Sequence, residues 1–183
     1  MKVSKTTISD LVIIEPKVFL DSRGYFFEPY NKKVFEKFFG DINFIQDNES
    51  KSSKGVLRGF HFQKPPFEQA KLVRCIQGEV LDIALDLREN SKTYGKYEKV
   101  LLSSENKKQF FIPRGFAHAF LVLSETAIFS YKVDNIYAPE SDSGIIWNDP
   151  TLSIDWGLDK SKLIVSEKDK KLECLSNIKS PFK

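Results

Sequence analysis

Apolar and polar residues alternate at a period of two along most of the chain. The alternation falls into short runs at 11–16, 24–29, 44–48, 56–62, 71–76, 80–87, 99–103, 109–112, 118–123 and 127–133, and each run reads as a strand. Gly78 and residues 90–95, 104–106, 124–126 and 139–144 supply the turn chemistry between them. Two segments have helical spacing. Asn31 is placed to cap a helix through Phe39, with Val34, Phe35, Phe38 and Phe39 on one face and Gly40 as its stop; residues 166–175 form the second. Many short strands with helices only near the two ends predict an all-β fold, a sandwich or a closed jelly-roll barrel with short flanking helices. No repeat or composition break divides the chain, so one domain over 1–183 is expected.

Several polar residues interrupt these apolar strands. The stretch LRGFHFQ carries Arg58 and His61, and FIPRGFAHAFLVL carries His118; the chain has no other histidine. In a regular strand Arg58 and His61 would point to opposite faces, but Gly59 between them is where a bulge can turn both to one side. Lys71 opens a strand that continues through Val73 and Cys75. Asp82, Ala84 and Asp86 share one face of the next, and Tyr131 and Lys132 lie in the last. Taken singly, each has an ordinary reading: a satisfied core histidine, a surface arginine, a packed tyrosine ring, carboxylates on a wet face. Taken together, inward polar groups in a small barrel predict a lined cavity.

Two chemistries suit such a cavity. A cupin-like metal site would draw on His61, Gln63, Glu68 and His118, but a glutamine amide is a poor ligand where an imidazole is usual. The other is proton transfer next to a carbonyl. A histidine is basic enough near neutral pH, a lysine can stabilise an enolate oxygen, and a tyrosine on the far side can return the proton to the opposite face.

Composition narrows the setting. The chain has 183 residues, 41% hydrophobic and 29% charged, with 16 Phe among its aromatics, as expected of a globular protein with a thick β core. A net charge of +3 is too small and dispersed to argue for nucleic acid. Cys75 and Cys174 read as two free thiols in a reducing compartment. With no run of membrane-spanning length and no apolar leader, a cytoplasmic protein without a membrane partner is expected.

The blocks IIEPKVFLDSRGYFFEPYN, FIQDNESKSSKGVLRGFHFQ, QAKLVRCIQGEVLDIALDLR, FFIPRGFAHAFLVL, IFSYKVDNIYAP and IIWNDPTLSIDW, with SEKD at 166–169, resemble the dTDP-4-dehydrorhamnose 3,5-epimerase family in order and spacing. The resemblance implies a cupin-type jelly roll that epimerises a dTDP-linked 4-keto-6-deoxy sugar without metal or redox cofactor. Its relatives form homodimers that exchange N-terminal strands. It implies that His61 removes the proton alpha to the C4 ketone, Asp169 orients that histidine, Lys71 stands beside the enolate oxygen and Tyr131 reprotonates. Arg23, Glu28, Gln46, Asp47, Asn48, Arg58, His118, Asp142 and Lys168 fall at nucleotide-sugar contacts, with Arg23 and Arg58 suited to the diphosphate and Arg23 and Glu28 serving the partner's site. Glu49 replaces a histidine frequent in the family and is expected at the mouth of the site; Asp142 replaces a frequent glutamate. An epimerase inverting only C3 or only C5, a non-catalytic sugar-nucleotide cupin and a metal-dependent cupin oxygenase are the alternatives.

Overall fold

The computed structural model describes residues 1–183. The strands are β1 (Lys2–Lys5), β2 (Val12–Glu15), β3 (Phe19–Asp21), β4 (Gly24–Phe26), β5 (Gln46–Ser53), β6 (Val56–Gln63), β7 (Lys71–Gln77), β8 (Glu79–Asp86), β9 (Tyr97–Ser103), β10 (Gln109–Ile112), β11 (Phe116–Val122), β12 (Thr126–Val133), β13 (Asp142–Gly144) and β14 (Ile164–Val165). One helix, α1 (Lys32–Phe39), precedes β5. The first sheet runs β1-β2-β10-β7-β12-β5 and the second β13-β6-β11-β8-β9, with β14 joined parallel to β6. The hairpin β3–β4 belongs to neither.

Strand alternation makes the two sheets face each other. Val73 and Cys75 of β7, Val80 and Ala84 of β8, Phe116, Phe120 and Val122 of β11 and Phe129 of β12 meet in one core between the sheets. The opposite faces of β6, β8 and β11 carry Leu57, Ile83, Leu85, Ala117, Ala119 and Leu121. They pack under the C-terminal segment through Leu152, Trp156 and Phe182. Every residue of β11 is therefore buried, which explains why FAHAFLV has no polar face. Each large apolar side chain fully buried this way contributes about 1.5–3 kcal/mol. Gly78 makes the tight β7–β8 turn: it has φ +79°, and a Cβ there would lie 2.2 Å from the Thr126 carbonyl oxygen.

Helix α1 forms where its spacing predicts, and Gly40 ends it with φ +72° and an N–H donated to the Glu36 carbonyl. Its apolar face is narrower than expected. Phe35 and Phe39 pack together and onto Phe111, whereas Phe38 is exposed. The Asn31 side chain does not cap the helix; it donates to Glu28 instead.

The helix expected at 166–175 is absent. That segment forms two 3₁₀ turns, Asp169–Lys171 and Leu175–Asn177. Polar anchors tie it to the barrel in place of an apolar helical stripe: Asp169 accepts from the Gly59 N–H, and the Leu175 N–H donates to Asp149.

Candidate active site

A cavity of about 690 Å³ opens between the two sheets. Ten of the residues expected at a site line it: Gln46, Asn48, Arg58, His61, Lys71, His118, Tyr131, Asp142, Lys168 and Asp169. His61 and Arg58 come from β6, Lys71 from β7, His118 from β11 and Tyr131 from β12, so histidine and tyrosine stand on facing sheets.

The expected bulge is what brings Arg58 and His61 together. His118 pairs with His61 but Phe120 pairs with Arg58, so Gly59 and Phe60 oppose Ala119 alone. Gly59 has φ +115°, and a Cβ there would sit 2.4 Å from the His118 carbonyl oxygen and 2.7 Å from the Ala119 Cα. Only glycine fits a backbone this close to its neighbour.

Asp169 reaches the site from the C-terminal segment. His61 Nε2 lies 2.8 Å from Asp169 Oδ1, while Asp169 Oδ2 accepts from the Gly59 N–H. Burial works to raise the Asp169 pKa, but the hydrogen bonds from His61 and Gly59 outweigh it and hold the carboxyl below its ordinary value. An ionised Asp169 accepts the Nε2 hydrogen, which leaves the lone pair on Nδ1. His61 keeps about a third of its side-chain surface open and lines the cavity.

Across the cavity, Tyr131 is pushed up in pKa by burial, against the pull of Arg58, so it stays a phenol at neutral pH. At the cavity floor Lys71 is pushed down to about 8 by burial, with Asp82 and Asp142 pulling it back up. His118 Nε2 lies 2.8 Å from Asp82 Oδ2, and its ring stacks on Phe129, which stacks on Phe120. The two carboxylates flagged on β8 diverge in use: Asp86 is bound by Arg88, Ser91 and Thr93, away from the cavity.

Three expected residues lie outside this chain's cavity. Asp47 points to the outer face of β5 because strand alternation gives the inner face to Gln46, Asn48 and Ser50; its carboxylate pairs with Lys132. Glu49 shares that outer face, so it is not at the mouth. Arg23 pairs only with Asp21 in the exposed β3–β4 hairpin, and Glu28 follows that hairpin and holds Asn31.

At the mouth, Lys168 binds Asp142, which also accepts from the Tyr137 hydroxyl. Tyr137 was not singled out by sequence, and neither were Ser50 or Gln69, although all three line the cavity. The signal for Tyr137 is faint: an aromatic before Ala-Pro reads as loop. Gln63, weighed above as a metal ligand, spends its amide on the Phe67 and Ile136 carbonyls and the Ala138 N–H. No three His, Cys, Asp or Glu side chains converge on a point that suits a metal ion.

The family model described as dTDP-4-dehydrorhamnose 3,5-epimerase matches residues 5–177. An epimerase of that name from Escherichia coli is 52% identical over 179 residues, covering 97% of this chain and 96% of its own. The crystal structure of one from Elizabethkingia anophelis superposes with a TM-score of 0.93 at 56% identity, covering 97% of each chain. A Legionella pneumophila dTDP-6-deoxy-D-glucose 3,5-epimerase, crystallised with dTDP-4-keto-L-rhamnose, also gives 0.93, at 46% identity over 97% of this chain and 94% of that one. With a jelly roll of this form, a histidine–carboxylate pair facing a phenol across its cavity and matches over nearly its whole length, this chain belongs to the dTDP-4-dehydrorhamnose 3,5-epimerase family.

Proposed function

We propose that the chain, as one 183-residue domain, converts dTDP-4-dehydro-6-deoxy-D-glucose to dTDP-4-dehydro-L-rhamnose by inverting C3 and C5. The observation that carries this reading is the placement of His61 and Tyr131 on opposite walls of one cavity whose floor holds Lys71 and His118. Both C3–H and C5–H are alpha to the C4 ketone, so one constellation serves both centres.

The His61 Nδ1 lone pair takes the proton from carbon, and the C–H electrons move into the C4 carbonyl. The Lys71 ammonium meets the enolate oxygen; a preorganised donor of this type is worth roughly 3–4 kcal/mol. Tyr131 then gives its phenolic proton to the opposite face of the carbon, and each such transfer contributes typically ~10²–10⁴-fold. His61 loses its proton to water and Tyr131 regains one before the second centre reacts. No electron or hydride changes carrier in these steps, so the chemistry needs no redox cofactor.

Arg58, held by Ser52 at 3.2 Å, suits the diphosphate, and Gln46 and Asn48 offer amides along the same wall. The exposed Tyr137 ring at the cavity mouth gives the flat base an apolar face.

The active species in this reading is a homodimer. Phe19, Leu20, Tyr25 and Phe26 of the β3–β4 hairpin are 52%, 81%, 57% and 67% exposed, an apolar surface that a lone chain leaves wet. A partner chain covering it brings Arg23 and Glu28 to the opposite pocket. The two free cysteines fit a cytoplasmic setting, and no helix is long and apolar enough to cross a membrane.

The purified chain is to be incubated with dTDP-4-dehydro-6-deoxyglucose, a rhamnose-forming reductase and its nicotinamide cofactor. Formation of dTDP-rhamnose is expected, since only the doubly inverted ketone leads to it. An epimerised ketone that the reductase leaves unreduced to rhamnose would show that a single centre is inverted.

A further inference from the structure

The steps above make no use of the Asp82 carboxyl. Asp82, in the middle of β8, is fully buried. Its Oδ2 takes the His118 ring at 2.8 Å, while its Oδ1 has no hydrogen-bond partner. Asp86, two residues beyond Ala84 on the same strand, shows what a carboxylate kept for architecture looks like. Both its oxygens are bonded, to the Arg88 guanidinium and backbone N–H and to the Ser91 and Thr93 hydroxyls. An unpartnered carboxylate oxygen in a dry core works against folding. A site retains such a group when its charge serves another group nearby.

We propose that Asp82 is a positioning residue for the oxyanion end of the pocket: Oδ2 fixes the His118 ring against the Phe129 stack, and the buried charge keeps an ammonium on Lys71. The inference deepens the epimerase reading and rests on it. Its geometry is that of two facing sheets: β7 of the first lies across from the neighbouring strands β8 and β11 of the second. Lys71 on β7, Asp82 on β8 and His118 on β11 all turn into the space between the sheets, where Lys71 and His118 line the cavity floor. The other titratable groups facing them are His61 from β6, Tyr131 from β12, Asp142 from β13 and Cys75 further along β7.

The charge balance ties the three groups together: burial pushes the Asp82 carboxyl up, while His118 and Lys71 pull it back down. Burial pushes Lys71 down to about 8, and Asp82 is the foremost influence opposing that fall, ahead of Asp142 nearer the mouth. Without Asp82, Lys71 would lose its proton close to working pH and could no longer meet a developing enolate with positive charge. For His118, burial again pulls downward, as do Lys71 and His61, and every upward influence comes from Asp82. With Nε2–H committed to Asp82, the neutral ring offers Nδ1 to the pocket as an acceptor for a sugar hydroxyl or a Lys71 N–H.

The test uses Asp82→Asn, whose amide oxygen can still accept from His118 while the charge is gone. The full-length protein carries ¹³C-labelled lysine, and the Lys71 Cε resonance is the one missing from Lys71→Met. In the wild type its titration midpoint is expected near 8. In Asp82→Asn it is expected about one to three pH units lower, the usual effect of removing a close opposite charge. The rate ratio of Asp82→Asn to wild type in the epimerisation assay is expected to fall by about six- to twenty-five-fold between pH 6.5 and pH 8.5, following the lost ammonium over that range of shifts. An unmoved Lys71 midpoint, or a rate ratio independent of pH with only a lowered melting temperature, would overturn the inference and leave Asp82 a structural residue. A wild type that moves no protons on the sugar would instead overturn the epimerase reading, and the Lys71 titration would still decide the role of Asp82.

Discussion

Lys71 is the residue at which folding and function oppose each other most directly. Its ammonium is buried, and its pKa falls from 10.5 to about 8. Between those values the unfolded chain binds a proton that the folded chain has released, so stability rises with pH across that window. Below pH 8 the full cost of burying the charge applies, about 3 kcal/mol on the scale of the shift. Epimerisation runs the other way, since the enolate needs the ammonium. Urea unfolding of the wild type and of Lys71→Met should therefore converge by about 2–3 kcal/mol from pH 7 to pH 10, while the wild-type turnover falls over the same range. A stability difference that stays flat with pH would contradict the burial of a charged Lys71. The polar interruptions at Lys71, His61, His118 and Tyr131 were legible in sequence because each breaks an apolar run. Asp169 was legible only through family resemblance: it arrives from a segment 108 residues beyond His61 that has no periodicity to read. Asp47 misled because neighbours in a strand alternate faces, so a contiguous Gln-Asp-Asn cannot all line one pocket.

At the scale of elements, the β6 bulge decides which side chains meet. Gly59→Ala forces a methyl group into the β11 backbone at a φ of +115° that an L-residue avoids. A loss of about 3 kcal/mol is expected, seen as a fall of roughly 6–12 °C in melting temperature. Epimerase activity should fall further than stability alone explains, because Arg58 or His61 must leave the pocket if the bulge straightens. A variant with the wild-type melting temperature and rate would show that the bulge is not set by this glycine. Strands with a buried face, such as β8 and β11, were readable from hydrophobic pattern. β5 was found only in part, since its inner face of Gln46, Asn48 and Ser50 is polar for the sake of the pocket. The segment after β14 misread as a helix for a related reason: its anchors are side chains bound to the barrel, not an apolar stripe.

For the whole molecule, the exposed β3–β4 hairpin and the stranded Arg23 and Glu28 make the assembly testable through shared sites. Arg23→Ala and His61→Ala proteins, each weakly active alone, are to be mixed and allowed to exchange subunits. A mixed dimer holds one pocket with both residues intact, so a random mixture should recover up to about a quarter of wild-type activity. No recovery after proven exchange would mean that Arg23 serves its own chain or none. The central claim is that an imidazole and a phenol act on opposite faces of one keto sugar. Its most direct measurement is an NMR time course in heavy water with dTDP-4-dehydro-6-deoxyglucose, scored at C3 and C5. The wild type should place solvent deuterium at both carbons with inversion. His61→Ala should place it at neither while remaining folded, and Tyr131→Phe should lose inversion by ~10²–10⁴-fold. Full epimerisation by Tyr131→Phe, or deuterium entering the sugar with His61→Ala at the wild-type rate, would contradict the account.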